Sequence, residues 1–306
     1  EANDRYWRKA PAVKRMVWKT VTEDTTRLAM LKRGEADVAY SIRGALAEEV
    51  QRSPGLSLKP TTIPFTTWIA FNEQWDPKSP WADRRVRLAA NYAIDRKAIN
   101  QAETLGLSKP TTSIIPQDFE FYWPAPMHPY DPRRAKQLLA DAGYPNGFDG
   151  GEITTTTVYA SIAEAVASYF GAVGIRTKLR PLERAAFFKE WQEKRLKQLV
   201  HGGSAAFGNA ATRIEAFIGA GGIYVYGSYP DIEGLIQEQL GEPDRKRREA
   251  VLHRIQRLMH EKAMYVSIME PAFLNGVGPR VAESGLGLIT NHAYSAPYED
   301  LKLKGK

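Results

Sequence analysis

The sequence predicts an α/β fold. Three observations carry that expectation. Lys14 to Val21 (KRMVWKTV) is rich in branched and aromatic residues, and a helix signature and a second strand-like run, Ala36–Tyr40, follow it. Ile153–Tyr159 (ITTTTVY), a helix ending at Gly174 and the run Ile175–Leu179 present the same β-α-β order in the middle of the chain. Between such units, helices are marked by caps and stops at the expected places. Strands alternating with helices imply an α/β architecture.

The elements follow in order. Glu23-Asp24-Thr25-Thr26 supplies helix-start chemistry, Leu28, Met30 and Leu31 an apolar stripe, and Gly34 a left-handed stop. Ser57–Ile63 and Thr66–Asn72 read as strands separated by Pro64. Asp83–Ala93 places Val86, Ala89, Ala90 and Ala93 on one helical face. Asp95 then falls where a new helix needs a cap, with Ala98, Ile99, Ala102 and Leu105 continuing beyond it. A working carboxylate flanked by Arg96 and Lys97 is the other reading of Asp95; capping explains it without any catalysis. Pro110–Pro129 reads as irregular. Asp131 caps, and Pro132 begins, a helix that buries Ala135, Leu138, Leu139 and Ala142 and stops at Gly143. Ser161-Ile162-Ala163-Glu164 reads as a capping box. Glu183–Leu196 and Pro243–Ala263 carry helical stripes, a helix begins near Ala211, and Tyr265–Ile268 is a late strand.

The 306 residues suit one large or two ordinary domains. No apolar run reaches the roughly eighteen residues of a membrane span. There is no cysteine, which removes disulfides, thiolate metal sites and cysteine nucleophiles. The net charge of +7 raises nucleic acid as a partner, but runs such as Asp244-Arg245-Lys246-Arg247-Arg248-Glu249 interleave the signs like a solvated helix face. No nucleic-acid partner is expected. The opening at Glu1 shows no leader and fits an exported protein after processing, or a fragment.

Enzyme motifs are sought and mostly fail. His260-Glu261-Lys262-Ala263-Met264 has methionine where a two-histidine zinc site needs its second ligand. His253 and His260 share a helix face with no third ligand near in sequence, so an exposed surface is expected and no metal. Gly219-Ala220-Gly221-Gly222 lacks a phosphate-loop spacing and reads as a turn. His201-Gly202-Gly203-Ser204 resembles an oxyanion loop of esterases, but no Gly-x-Ser-x-Gly elbow supplies a nucleophile. No catalytic residue and no cofactor is expected. A hydrolase using the Gly202–Ser204 loop stays as the alternative.

One region concentrates glycine, small polar residues and aromatics. Gly202 to Asn209 precedes a helix whose first turn holds Arg213, and Tyr224 and Tyr226 follow at alternate positions of a presumed strand. Glycines admit a close ligand, aromatics give contact faces, and Arg213 can grip a carboxylate or phosphate bidentately. The candidate ligand-binding residues are Trp68, Asn72, Tyr159, Ser204, Phe207, Asn209, Arg213, Tyr224 and Tyr226. Core packing for the aromatics and strand-end capping for Asn72 are the competing readings.

Four stretches occur in a characteristic order: Ala2–Trp7; Thr26–Asp37 (TRLAMLKRGEAD); Phe71-Asn72 with Asp83–Arg96 (DRRVRLAANYAIDR); and Tyr130-Asp131-Pro132 with Leu138–Pro145 (LLADAGYP). Together they resemble the periplasmic solute-binding proteins of ABC transporters, in family 5, which includes peptide-, nickel- and opine-binding members. The resemblance implies a large, type II periplasmic-binding-protein-like fold, two α/β lobes closing on a solute. It implies that this chain is the C-terminal portion. Residues 1–64 and 270–306 would be partial lobe I, and 65–269 the complete second lobe, with crossing strands near 63–71 and 266–272. It further implies a periplasmic location, ABC permease subunits as partners and a monomer. Peptide-binding members carry an aspartate in the loop matching Gly203–Asn209, and this chain has no acid there. That departure makes a peptide less expected and an anionic or opine-like solute more so.

Overall fold

The computed structural model of the protein describes residues 1–205, 208–289 and 292–305. In chain order the helices are α1 (Asp24–Lys32), α2 (Gly44–Arg52), α3 (Arg84–Ala93), α4 (Arg96–Thr104), α5 (Pro132–Asp141), α6 (Ala160–Val173), α7 (Arg184–Gln192), α8 (Ala210–Phe217), α9 (Pro230–Gly241) and α10 (Arg245–Glu261). The strands are β1 (Val38–Ala39), β2 (Ser57–Thr62), β3 (Thr66–Phe71), β4 (Lys109–Pro110), β5 (Phe148–Thr156), β6 (Ile175–Leu182), β7 (Leu199–Ser204), β8 (Tyr265–Glu270), β9 (Ala272–Val277), β10 (Val281–Glu283) and β11 (Lys302–Leu303).

The chain forms two compact units. The first comprises residues 1–63, 100–109 and 271–306, the second 64–99 and 110–270. Residues 100–109, which the sequence reading leaves within the 65–269 stretch, cluster with the first unit. A buried knot holds them: Asn100 Nδ2 donates to the Ser108 carbonyl at 2.8 Å, and the Ala272 amide donates to Ser108 Oγ at 2.9 Å. In the first unit β9 lies between β1 and β2, antiparallel to both. Leu28 and Leu31 of α1, Ala47 and Val50 of α2, and Leu274 of β9 form its core.

The second unit is built on a sheet in the order β4-β8-β3-β7-β5-β6. β5 is parallel to β6 and β7, while β3 runs antiparallel to β7 and β8. Every residue of β3 is buried, because helices cover both faces of the sheet. Alternation sends Ile69 and Phe71 into a core with α3, α5 and α6, and Trp68 and Ala70 into a second core with α7, α8, α9 and α10.

Local chemistry sets the helix boundaries. Asp83, Asp131, Glu183, Asn209 and Asp244 each accept a backbone N–H at a helix start. Asp95 is a cap: its Oδ1 accepts from the amides of Lys97 and Ala98, both at 3.0 Å. Gly143 (φ 96°) and Gly174 (φ 100°) take the left-handed conformation at helix ends.

Four local expectations fail. Residues 14–21 form no strand and pair with none of the described strands. α6 starts at Ala160, so Ser161 lies inside the first turn and is not the N-cap. Tyr224 stands in a turn, closed by the Val225 amide donating to the Gly222 carbonyl at 3.1 Å, and Tyr226 in a bend. His260 is half-buried, its ring stacked on His128 with centroids 4.4 Å apart. Helix α9, begun by Pro230 at its first position, was not anticipated.

Candidate functional site

In open α/β sheets, ligands bind beyond the carboxyl ends of the parallel strands. In the second unit that edge is formed by Thr156 of β5, Leu182 of β6, Ser204 of β7 and Glu270 of β8, with Thr66 at the start of antiparallel β3. Helices α6, α7 and α8 are the next α-helices after β5, β6 and β7, so their free N–H groups face the same edge.

Arg213 is a buried cation at this edge. It lies in the first turn of α8, is 2% exposed, and donates from Nη1 to Ser204 Oγ. Its guanidinium sits 5.1 Å from the Phe119 ring centroid and 5.9 Å from that of Phe217. Burial pulls its pKa down to about 10, so the group stays cationic at neutral pH. Asn209 orients the helix that carries it: Asn209 Oδ1 accepts from the amides of Ala211 and Thr212 at 3.0 and 3.3 Å, and Thr212 Oγ1 accepts from the Asn209 amide.

The expected site residues divide by position. Ser204, Asn209 and Arg213 come together at the carboxyl edge. Tyr159 shares that edge, but its ring packs 6.0 Å from both Phe65 and His201, over the opposite sheet face. Tyr224 stacks on Phe217 at 5.2 Å and lies 4.6 Å from Trp191, so it belongs to the rim of the second core. Tyr226 lies under Lys194, whose Nζ is 5.3 Å from the ring centroid, and burial pushes its hydroxyl up to about 12. Trp68 is wholly buried, edge-on to Phe217 and Tyr265. Asn72 is at the other end of β3 from Ser204, about 20 Å away at 3.3 Å per residue; it donates to the Leu196 carbonyl at 3.1 Å and anchors the strand end. Phe207 lies outside the described residues.

The glycines of the loop serve packing. A Cβ on Gly202 would lie 2.5 Å from the Trp191 ring, and one on Gly203 would lie 2.6 Å from the Phe65 ring. Aromatic side chains occupy the room that the sequence reading gave to a ligand.

Glu270 was not anticipated. It closes β8 at this same edge, is 7% exposed, and accepts the Gln117 amide on Oε1 at 2.8 Å. Its only sequence signal is an acid ending the apolar run Tyr265–Met269. Phe119 comes from the irregular stretch after Pro110, where no periodicity points to it.

The hydrolase alternative fails on geometry. His201 Nδ1 meets Thr155 Oγ1 at 3.1 Å, and burial lowers the imidazole pKa to about 4. Ser204 Oγ is held by Arg213. His201 and Ser204 thus have other partners and do not form a catalytic pair with each other. Among the described residues, no group of three or more His, Cys, Asp or Glu could hold a metal ion. No helix among them is long and apolar enough to cross a membrane.

The family model of bacterial extracellular solute-binding proteins, family 5 Middle, matches residues 1–224. The chain belongs to this family. Heme-binding protein A of Haemophilus influenzae is 27% identical over 291 residues, covering 92% of this chain and 53% of that protein. Glutathione-binding protein GsiB of Escherichia coli is 29% identical over 219 residues, covering 67% and 41%. The chain therefore spans about half the length of the curated relatives it matches. Among solved structures, NikA from Brucella suis in complex with Fe(III)-EDTA superposes with a TM-score of 0.80 at 20% identity, over 98% of this chain and 64% of that one. The periplasmic binding protein DppA from Helicobacter pylori, in complex with the peptide STSA, gives 0.78 at 22%, over 94% and 56%. MoaA from A. tumefaciens R10, in complex with mannopinic acid, gives 0.81 at 19%, over 99% and 63%. These likenesses establish the periplasmic-binding-protein fold. The family is one of binding proteins, which leaves the hydrolase reading without support.

Proposed function

We propose that this chain is the C-terminal portion, about half, of the solute-capturing component of an ABC importer working in the periplasm. Residues 64–99 and 110–270 would form one complete lobe and the rest of the chain part of the other. The solute would rest on the carboxyl edge of the second unit's sheet and be enclosed there. Enclosure follows when a ligand makes contacts in the closed state that the open state lacks, so binding shifts the population toward closure. The closed form would then deliver the solute to membrane permease subunits.

The solute proposed is anionic and opine-like, and a peptide read mainly through its amino group is less favoured. One observation carries this: a buried guanidinium, Arg213, braced by Ser204 and Phe119 beside the N-terminus of α8. A cation at a helix start favours carboxylate or phosphate. The test is calorimetric titration of the full-length protein with mannopinic acid, glutathione and an amidated, uncharged-terminus dipeptide. Binding of an acid, weakened at least tenfold by Arg213→Ala, is the expected result. Unchanged affinity in the variant, or preference for the amidated peptide, overturns the assignment.

A further inference from the structure

The second unit contains a small pocket that shares no residue with the carboxyl edge. It lies between the last turns of α10, strand β8 and residues 112–128, and its volume is about 20 Å3. That is room for a water-sized guest. Much of its polar lining is engaged elsewhere. Thr112 Oγ1 donates to the Pro126 carbonyl at 3.0 Å, Gln256 Nε2 to the Phe121 carbonyl at 2.7 Å, and the Tyr265 hydroxyl to the Phe217 carbonyl.

Ser267 is different. It is 1% exposed, and its Oγ has no hydrogen-bond partner among the described residues. His128 and His260 line the same pocket. Their rings stack at 4.4 Å with planes 5° apart, and Tyr92 and Trp123 stand edge-on outside them. Neither ring hydrogen-bonds to a described residue. Burial keeps both imidazoles neutral, so each has one N–H to donate.

Behind the pocket is a cation without a counterion. Arg96 donates from Nε to the Ser267 carbonyl at 2.7 Å and from Nη1 to the His128 carbonyl at 3.5 Å. Its other acceptors are the carbonyl and Oδ1 of Asn91, and among the described residues no carboxylate pairs with it. The charges of Arg96 and Arg84 reach both imidazoles, and Glu261 opposes them only at His260. A buried positive field with unused donors favours an anion. The stack itself argues against a metal ion. Zinc–nitrogen bonds of about 2.0–2.1 Å lie in the ring plane, and two near-parallel stacked planes do not converge on one ion.

We propose that this pocket binds a monatomic anion, chloride, held by the Ser267 hydroxyl and the His128 and His260 N–H groups in the field of Arg96. The anion takes the hydrogen bond that Ser267 lacks and balances the buried guanidinium. In doing so it fastens α10 and the irregular stretch 112–128 to β8. The site is independent of which solute the protein captures.

The experiment uses the full-length protein exchanged into sodium gluconate. Crystals are soaked in sodium bromide, and diffraction at the bromine absorption edge locates the halide. An anomalous peak within hydrogen-bond reach of Ser267 Oγ and both imidazoles is expected. Thermal melts then compare chloride with gluconate at equal ionic strength, so that general screening cancels. Chloride should raise the melting temperature by about 2 °C or more. The rise should vanish in Ser267→Ala, and in His128→Phe, which keeps a ring against His260. In gluconate Ser267→Ala should melt no lower than the parent, because it removes an unpaired hydroxyl. Absence of bromide from the pocket, or an equal chloride effect in Ser267→Ala, overturns the proposal. A bromine peak with no chloride-dependent rise would mark an adventitious ion only, and overturns it as well.

Discussion

Arg96 follows a helix cap, where the sequence marks it only as a base beside Asp95, and it is 4% exposed. The guanidinium donates to the carbonyls of Ser267 at 2.7 Å and Asn91 at 3.1 Å, and to Asn91 Oδ1 at 3.0 Å. Burial pulls its pKa down to about 10. Its planar fork thus ties α3 to β8 through acceptors that have lost water. Arg87, 2% exposed, does the same for the carbonyls of Trp81, Ala82 and Lys262. Removing such a donor leaves several buried acceptors unsatisfied at about 1–3 kcal/mol each. Arg96→Met should therefore destabilise the second unit by at least about 3 kcal/mol. Arg96→Lys should rescue little, because a point ammonium cannot span the fork. Urea melts of the three proteins check this, and a loss under about 1 kcal/mol in Arg96→Met contradicts it.

Among the elements, the α3–α4 joint rests on a single carboxylate, Asp95, accepting two amides. Asp95→Ala should lower stability by about 1 kcal/mol, and Asp95→Asn should restore most of it. A melting temperature unmoved by the alanine would show that the joint is held by the surrounding core alone. This joint was legible in the sequence because caps act through neighbours in the chain. The same holds for α5, whose Asp131, Pro132 and Gly143 are local signals. The parallel β5-α6-β6 unit was legible from its periodicity. What escaped depends on distant partners. Residues 14–21 have strand chemistry but no neighbour among the described strands. Gly202 and Gly203 looked like ligand space, and only tertiary contact reveals Trp191 and Phe65 filling it. Trp68 is typed correctly as an aromatic of a central strand, yet its two-residue alternation sends it into the core away from the edge. Arg213 and Asn209 were legible as a helix start beside a glycine loop. Glu270 was not, because a lone acid at a strand end carries no pattern.

At the scale of the whole molecule, a net charge of +7 means that acid adds positive charge to an already basic protein. The second unit is the more exposed to that stress, because it buries neutral histidines. His201 is lowered from 6.5 to about 4 by burial. His128 is lowered to about 3 by burial first, then by His260, Arg96 and Arg84 around it. His260 is lowered as well, again chiefly by burial. Each binds a proton more readily unfolded, near 6.5, than folded. Their contribution to stability is therefore complete above about pH 6.5 and drains away as pH falls toward 4 for His201 and toward 3 for His128. At about 1.4 kcal/mol per pKa unit, His201 alone removes about 3 kcal/mol by pH 4. A buried Trp68, Trp81 and Trp191 report on this unit, whereas Trp7 and Trp18 of the first are exposed. Tryptophan-monitored melts between pH 7 and pH 4 should show the buried-indole transition falling steeply. The slope should flatten in His201→Gln, which keeps a partner for Thr155 Oγ1 and cannot take the proton. An identical slope in the variant would mean that His201 is not among the groups that open this unit in acid.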